Sequence, residues 1–125
     1  MKVLSIEQMT RLKELGVDVE PNGLDFMYSS VVLDEYRLMY AESVCEDDIK
    51  AFTLQDVIEL LPKVIKKDGL HLYFNIKTTY SGWYSAEYSF YQHSQFDLSF
   101  TRENILDAAY EMLIWVIENG HLKTK

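Results

Sequence analysis

The chain has a single cysteine, Cys45, so no disulfide can close within it and nothing in its composition indicates an oxidising compartment. Its five glycines are isolated from one another, and none falls in a GxGxxG or GxxxxGK pattern, so no Gly-rich phosphate loop is present. The longest unbroken apolar run, Met112 to Ile117, is far shorter than the about 20 residues a membrane helix needs. The opening MKVLSIEQMTRL lacks the apolar stretch of a signal peptide, and a cytoplasmic protein away from membranes is the expectation. Basic residues are also scarce: twelve against twenty acids give a net charge of −8, a field that repels phosphate backbones. Binding of duplex nucleic acid is therefore not expected.

The side chains of metal and acid/base chemistry are present but not arranged for it. His71, His93, His121 and Cys45 show no HExxH or CxxC spacing, and Glu46-Asp47-Asp48 lacks the glycine and downstream glutamate of a calcium loop. Asp107 and Glu111 stand one helical turn apart in a solvated stripe, without the contrasting surroundings that an acid/base pair requires. No nucleophile-elbow sequence occurs. The residues therefore point to no catalytic, metal or cofactor site.

What the chain does have is apolar and aromatic surface. Its 125 residues suit one globular domain spanning 1–125, with 48% hydrophobic and 26% charged residues. Nine Tyr, six Phe and two Trp make it rich in side chains that combine apolar area with, for Tyr and Trp, a polar handle.

Ser5 with Gln8 three residues on forms a capping box, Ile6, Met9 and Leu12 follow at one-turn spacing, and Gly16 ends that helix with Val17 available for its closing contact. Pro21 to Gly23 reads as a turn. Asp25 to Ser43 reads as a hairpin broken at Leu33-Asp34-Glu35, and apolar groups on both of its faces suggest cover on both sides. Cys45 to Lys50 is an acidic connection. Thr53, with Asp56 at the reciprocal position, caps a second helix whose stripe runs from Leu54 through Ile65. Pro62 predicts a kink or break in it, and Lys63, Lys66 and Lys67 fall near its C-terminal end.

Leu70 to Gln92 holds the strongest hairpin signal, and side-chain alternation fixes its loop length. A two-residue loop would place Leu72, Phe74 and Ile76 on the opposite face from Ala86, Tyr88 and Phe90. A three-residue loop, Tyr80-Ser81-Gly82, aligns them, pairs Thr79 with Trp83 and puts glycine where the bulge needs a left-handed residue. The other face then carries Tyr73, Asn75, Lys77, Trp83, Ser85, Glu87 and Tyr91, with Lys77 and Glu87 as diagonal neighbours.

HSQFDLSF reads as a loop, after which Thr101 caps a last helix that ends at Gly120. Its core face is Ile105, Leu106, Ala109, Met112, Leu113 and Val116, flanked by Ala108 and Ile117. Glu103, Asp107, Glu111 and Glu118 lie opposite. Ile114 projects from that acidic stripe with Tyr110 and Trp115 on its margins, which is more apolar surface than one core requires. The expected architecture is α+β: a four-stranded antiparallel sheet with three helices, in the order αββαββα, helices mainly on one face.

Leu61-Pro62, Trp83, Asp107-Ala108 and Trp115 through Gly120 together give a pattern over Phe52 to Gly120 that resembles small proteins encoded by phages and prophages of gut bacteria. The resemblance implies an accessory role in a mobile element and assigns no functional residues. The expected function is a non-catalytic protein-interaction protein, one version of which sets its acidic surface against a basic host factor. Its candidate contact residues are Tyr110, Ile114, Trp115, Tyr73, Trp83 and Tyr91, toward a protein partner or a second copy of the chain. The alternatives are a small enzyme with an unrecognised site and, more weakly, a single-strand nucleic-acid binder using the aromatic sheet face.

Overall fold

The computed structural model describes residues 3–20, 26–29, 37–40, 49–79, 81–90 and 98–122. The chain is α+β, with three helices and a four-stranded antiparallel sheet among the described residues, and its helix–hairpin–helix–hairpin–helix order is the expected one with further short strands added. It falls into two compact units, one ending at Thr53 and the other beginning at Leu54.

In the first unit, α1 (Ile6–Glu14) starts at the expected capping box: the Ser5 hydroxyl accepts from the Gln8 amide at 3.1 Å, and the Gln8 side chain accepts from the Ser5 amide at 2.9 Å. It closes at Gly16, whose φ of +91° lets the Val17 amide reach back to the Leu12 carbonyl at 3.0 Å. Strands β1 (Phe26–Ser29), β2 (Arg37–Tyr40) and β3 (Ile49–Lys50) form an antiparallel sheet in the order β2-β1-β3. Ser29 pairs with Arg37, so residues 30–36 lie between the two strands of the first hairpin. Leu4, Met9, Leu12, Val17, Val19, Ile49, Ala51 and Phe52 are buried. The turn expected at Pro21 to Gly23, the break at Leu33-Asp34-Glu35 and the acidic stretch Glu46-Asp47-Asp48 lie outside the described residues.

The second unit differs from expectation at Pro62. Helix α2 (Leu54–Leu60) stops there, and β4 (Val64–Lys67) follows as a strand, not as a continuation of the helical stripe. The missing amide and ring of Pro62 end the helix, and Ile65 is then buried by strand alternation while Val64 is exposed. Lys63, Lys66 and Lys67 thus belong to a sheet edge and not to a helix end. Asp68 (φ +53°) and Gly69 (φ +81°) turn the chain tightly into β5 (Leu70–Thr78), with Lys67 opposite Leu70.

The three-residue loop is present. The Thr79 amide donates to the Trp83 carbonyl at 2.7 Å, Gly82 takes φ +83°, and β6 (Tyr84–Ser89) pairs with β5 through Ile76↔Ala86 and Phe74↔Tyr88. Strand β7 (Leu98–Arg102) occupies part of what reads as a loop, so Thr101 is a strand residue. Asn104 caps α3 (Ile105–Glu118) instead, its side chain accepting from the Leu106 amide at 2.8 Å. The four-stranded sheet runs β4-β5-β6-β7, and its outer strands come from segments flanking the second hairpin rather than from the first hairpin.

Helix α3 packs on β6 and β7, and α2 packs on α3. Leu106, Ala108, Ala109, Met112, Leu113, Val116 and Ile117 are buried, with Ile65, Leu72, Ala86 and Tyr88 on the sheet and Val57 on α2. Fully burying each Val, Leu, Ile or Met side chain of this set stabilises by about 1.5 to 3 kcal/mol before chain entropy is set against it.

Candidate interaction surface

The face of the four-stranded sheet opposite α3 is built by alternation. In register across it run Val64–Tyr73–Ser89, Asn75–Glu87–Ser99 and Lys77–Ser85–Thr101, with Lys66 beside His71. Tyr73 is 54% exposed, Trp83 44% and Val64 43%, and these are the exposed large apolar side chains described in the second unit. Val64 and Tyr73 stand directly opposite one another on adjacent strands, a single apolar spot shared by β4 and β5.

Between the aromatics the face is polar. Lys77 lies 3.4 Å from a Glu87 carboxylate oxygen, and the Asn75 amide donates to the same oxygen at 3.5 Å. Glu87, Ser85 and Ser89 fall on this face by register, as expected, yet all three are buried, so the face is covered along β6 and open at Val64, Tyr73 and Trp83. Among the described residues no group of three or more His, Cys, Asp or Glu side chains is gathered as a metal site. No described helix is long and apolar enough to cross a membrane.

Charge is sorted between the two layers. Helices α2 and α3 carry Asp56, Glu59, Asp107, Glu111 and Glu118 with no lysine or arginine, whereas strands β4 to β7 carry Lys66, Lys67, Lys77 and Arg102 against Glu87 alone. Arg102 reaches the helix layer through Glu111 at 3.8 Å.

The six sequence-derived contact residues do not form one surface. Tyr73 and Trp83 lie on the sheet face away from α3, while Tyr110, Ile114 and Trp115 lie on α3 and are half-buried. Trp115 is stacked on His121, with ring centroids 5.3 Å apart and planes within 16°. Tyr91 is outside the described residues. Val64 and Lys66 complete the sheet surface and were hidden in the sequence by the apparent helical stripe. Asp-Gly at Asp68-Gly69, a hairpin signal between apolar runs, is what marks them as strand residues. Comparison with protein-family models, curated proteins and solved structures gives no match.

Proposed function

We propose that this protein is a non-catalytic protein-interaction protein whose contact surface is the β4–β7 sheet face opposite α3. The observation that carries this reading is the exposure of Val64, Tyr73 and Trp83 on one side of one sheet. Aromatic anchors rimmed by polar groups are the usual composition of protein contact surfaces, whereas lone exposed apolar residues need no explanation. The α3 residues contribute less, since Tyr110, Ile114 and Trp115 are already partly covered and Trp115 has His121 as a ring partner. The resemblance of the 52–120 segment to phage and prophage proteins supports an accessory role toward a host protein.

The test is affinity capture from a gut-bacterial lysate with the wild type and a Tyr73→Asp/Trp83→Asp variant of unchanged melting temperature. Recovery of a specific protein by the wild type and its loss with the variant supports the reading. Identical recoveries with both overturn it.

A further inference from the structure

β4 is an edge strand: among the described residues it pairs with β5 alone. Its backbone polarity follows from two hydrogen-bonding facts. The tight Asp68-Gly69 turn makes Lys67 and Leu70 a hydrogen-bonded pair, and the Phe74 amide donates to the Lys63 carbonyl at 3.0 Å. Alternation then turns Lys63, Ile65 and Lys67 toward β5 and leaves the N–H and C=O groups of Val64 and Lys66 directed away from the sheet. The other side of β5 agrees, since the Thr79 amide, one residue past β5, bonds to the Trp83 carbonyl just before β6.

Such an edge is a template for another strand, and side-chain charge decides which strand it accepts. Lys63, Lys66 and Lys67 are all exposed there, and among the described residues their ion-pair partner is Asp68, 3.7 Å from the Lys67 ammonium. Val64 and Tyr73 add an apolar spot on the face away from α3, next to Lys66. Lysines on an edge repel strands like β4 itself, so a second copy pairing β4 to β4 is disfavoured. An acidic strand gains what a neutral one does not.

We infer that β4 is a docking edge for an extended, acidic segment of a partner protein, which adds to the sheet as a fifth strand and pairs with the backbone of Val64 and Lys66. Carboxylates on one face of the incoming strand meet Lys63 and Lys67, and its apolar side chains on the other face cover Val64 and Tyr73 beside Lys66. This inference rests on the protein-interaction reading and specifies the chemistry of the partner. Single-stranded nucleic acid would bring the same sign of charge and stack on Tyr73, but it has no alternating amide and carbonyl ladder to pair with both the N–H and C=O groups of Val64 and Lys66.

The experiment uses a fluorescein-labelled peptide alternating glutamate and valine, a matched peptide alternating lysine and valine, and labelled oligodeoxythymidine, titrated against the full chain by anisotropy. Binding of the glutamate peptide is expected, with at least about tenfold weaker binding of the lysine peptide. Val64→Pro removes an outward amide without taking a hydrogen bond from β5, and Lys66→Glu reverses the local charge. Each should weaken the glutamate peptide about tenfold while leaving the melting temperature within a few degrees. In the wild type, amide hydrogen exchange at Val64 and Lys66 should slow when the peptide is added, whereas Ile65, already bonded to β5, should change little.

No binding, equal binding of the two peptides, or unchanged exchange at Val64 and Lys66 overturns the inference, as does preferential binding of oligodeoxythymidine. Should Val64→Pro unfold the chain, the Lys66→Glu and exchange results decide it. If the peptide fails while capture of a partner still depends on Tyr73 and Trp83, the edge inference falls and the proposed function stands.

Discussion

The phenol of Tyr88 donates to the carbonyl of Pro62 at 2.6 Å, which ties the centre of the four-stranded sheet to the residue that ends α2. Tyr88 is fully buried, with its ring 5.3 Å from that of Phe74. Tyr88→Phe removes the donor and leaves the carbonyl without it, at a cost of about 1 to 3 kcal/mol, measurable by urea denaturation. Burial also pushes the Tyr88 pKa above the ordinary tyrosine value of 10.0. The folded state then holds this proton after the unfolded chain has lost it. The contribution is fully present below pH 10 and drains away as pH rises beyond it, so stability should fall on the alkaline side and fall less steeply in Tyr88→Phe.

Gly69 and Gly82 test the two tight turns. A Cβ at either would meet nothing within 4 Å, yet both have positive φ, +81° and +83°. Alanine at either position should therefore cost about 1 to 2 kcal/mol through backbone strain alone. Asp68→Asn keeps a residue that tolerates the left-handed region and should change stability by less than about 0.5 kcal/mol. Thermal melts of the three variants distinguish strain from steric clash.

Lys77 and Glu87 are unequal partners: the lysine side chain is 51% exposed and the glutamate 7%. Lys77→Met leaves a buried carboxylate with Asn75 as its remaining described contact, and should cost about 1 to 3 kcal/mol, more than an exposed pair is worth. A Lys77→Met/Glu87→Gln double variant should recover part of that loss, because the charge left without its partner is gone. A double variant no more stable than Lys77→Met alone would show that Glu87 does not depend on the lysine.

These predictions show which parts of the fold can be read from residues alone. The Tyr80-Ser81-Gly82 loop was legible because strand alternation has period two, and a loop one residue shorter would have put the Phe74 and Tyr88 faces on opposite sides. The Ser5 and Gly16 signals were legible because capping chemistry is local. Val64 and Ile65 were not, since they continue the spacing of Leu54, Val57, Ile58 and Leu61 well enough to read as one helix. The competing signals, Pro62 before them and Asp68-Gly69 after, are each short. Thr101 and Asn104 are both good caps at plausible spacing, and only the pairing of Thr101 with Ser85 makes it a strand residue. The candidate surface was half legible for the same reason: Tyr73 and Trp83 follow from the hairpin, whereas Val64 and Lys66 need the neighbouring strand.

Ile114 provides the test between the two apolar regions. It is half-buried on α3, between Glu111 one turn before and Glu118 one turn after. Ile114→Asp removes partly buried apolar area, adds a carboxylate between Glu111 and Glu118 and places an anion toward the C-terminal end of the helix, where the dipole disfavours it. It should lower stability by about 1 to 2 kcal/mol. Ile114→Lys keeps an apolar stem, lies near opposite charges and suits the helix end, so it should cost clearly less. Neither should change the sedimentation coefficient or the recovery of a partner if the contact surface is the sheet face. The measurement is sedimentation velocity and affinity capture beside thermal melts. Loss of association or capture in both variants, with melts unchanged from the wild type, would move the contact surface to α3 and overturn the assignment to Val64, Tyr73 and Trp83.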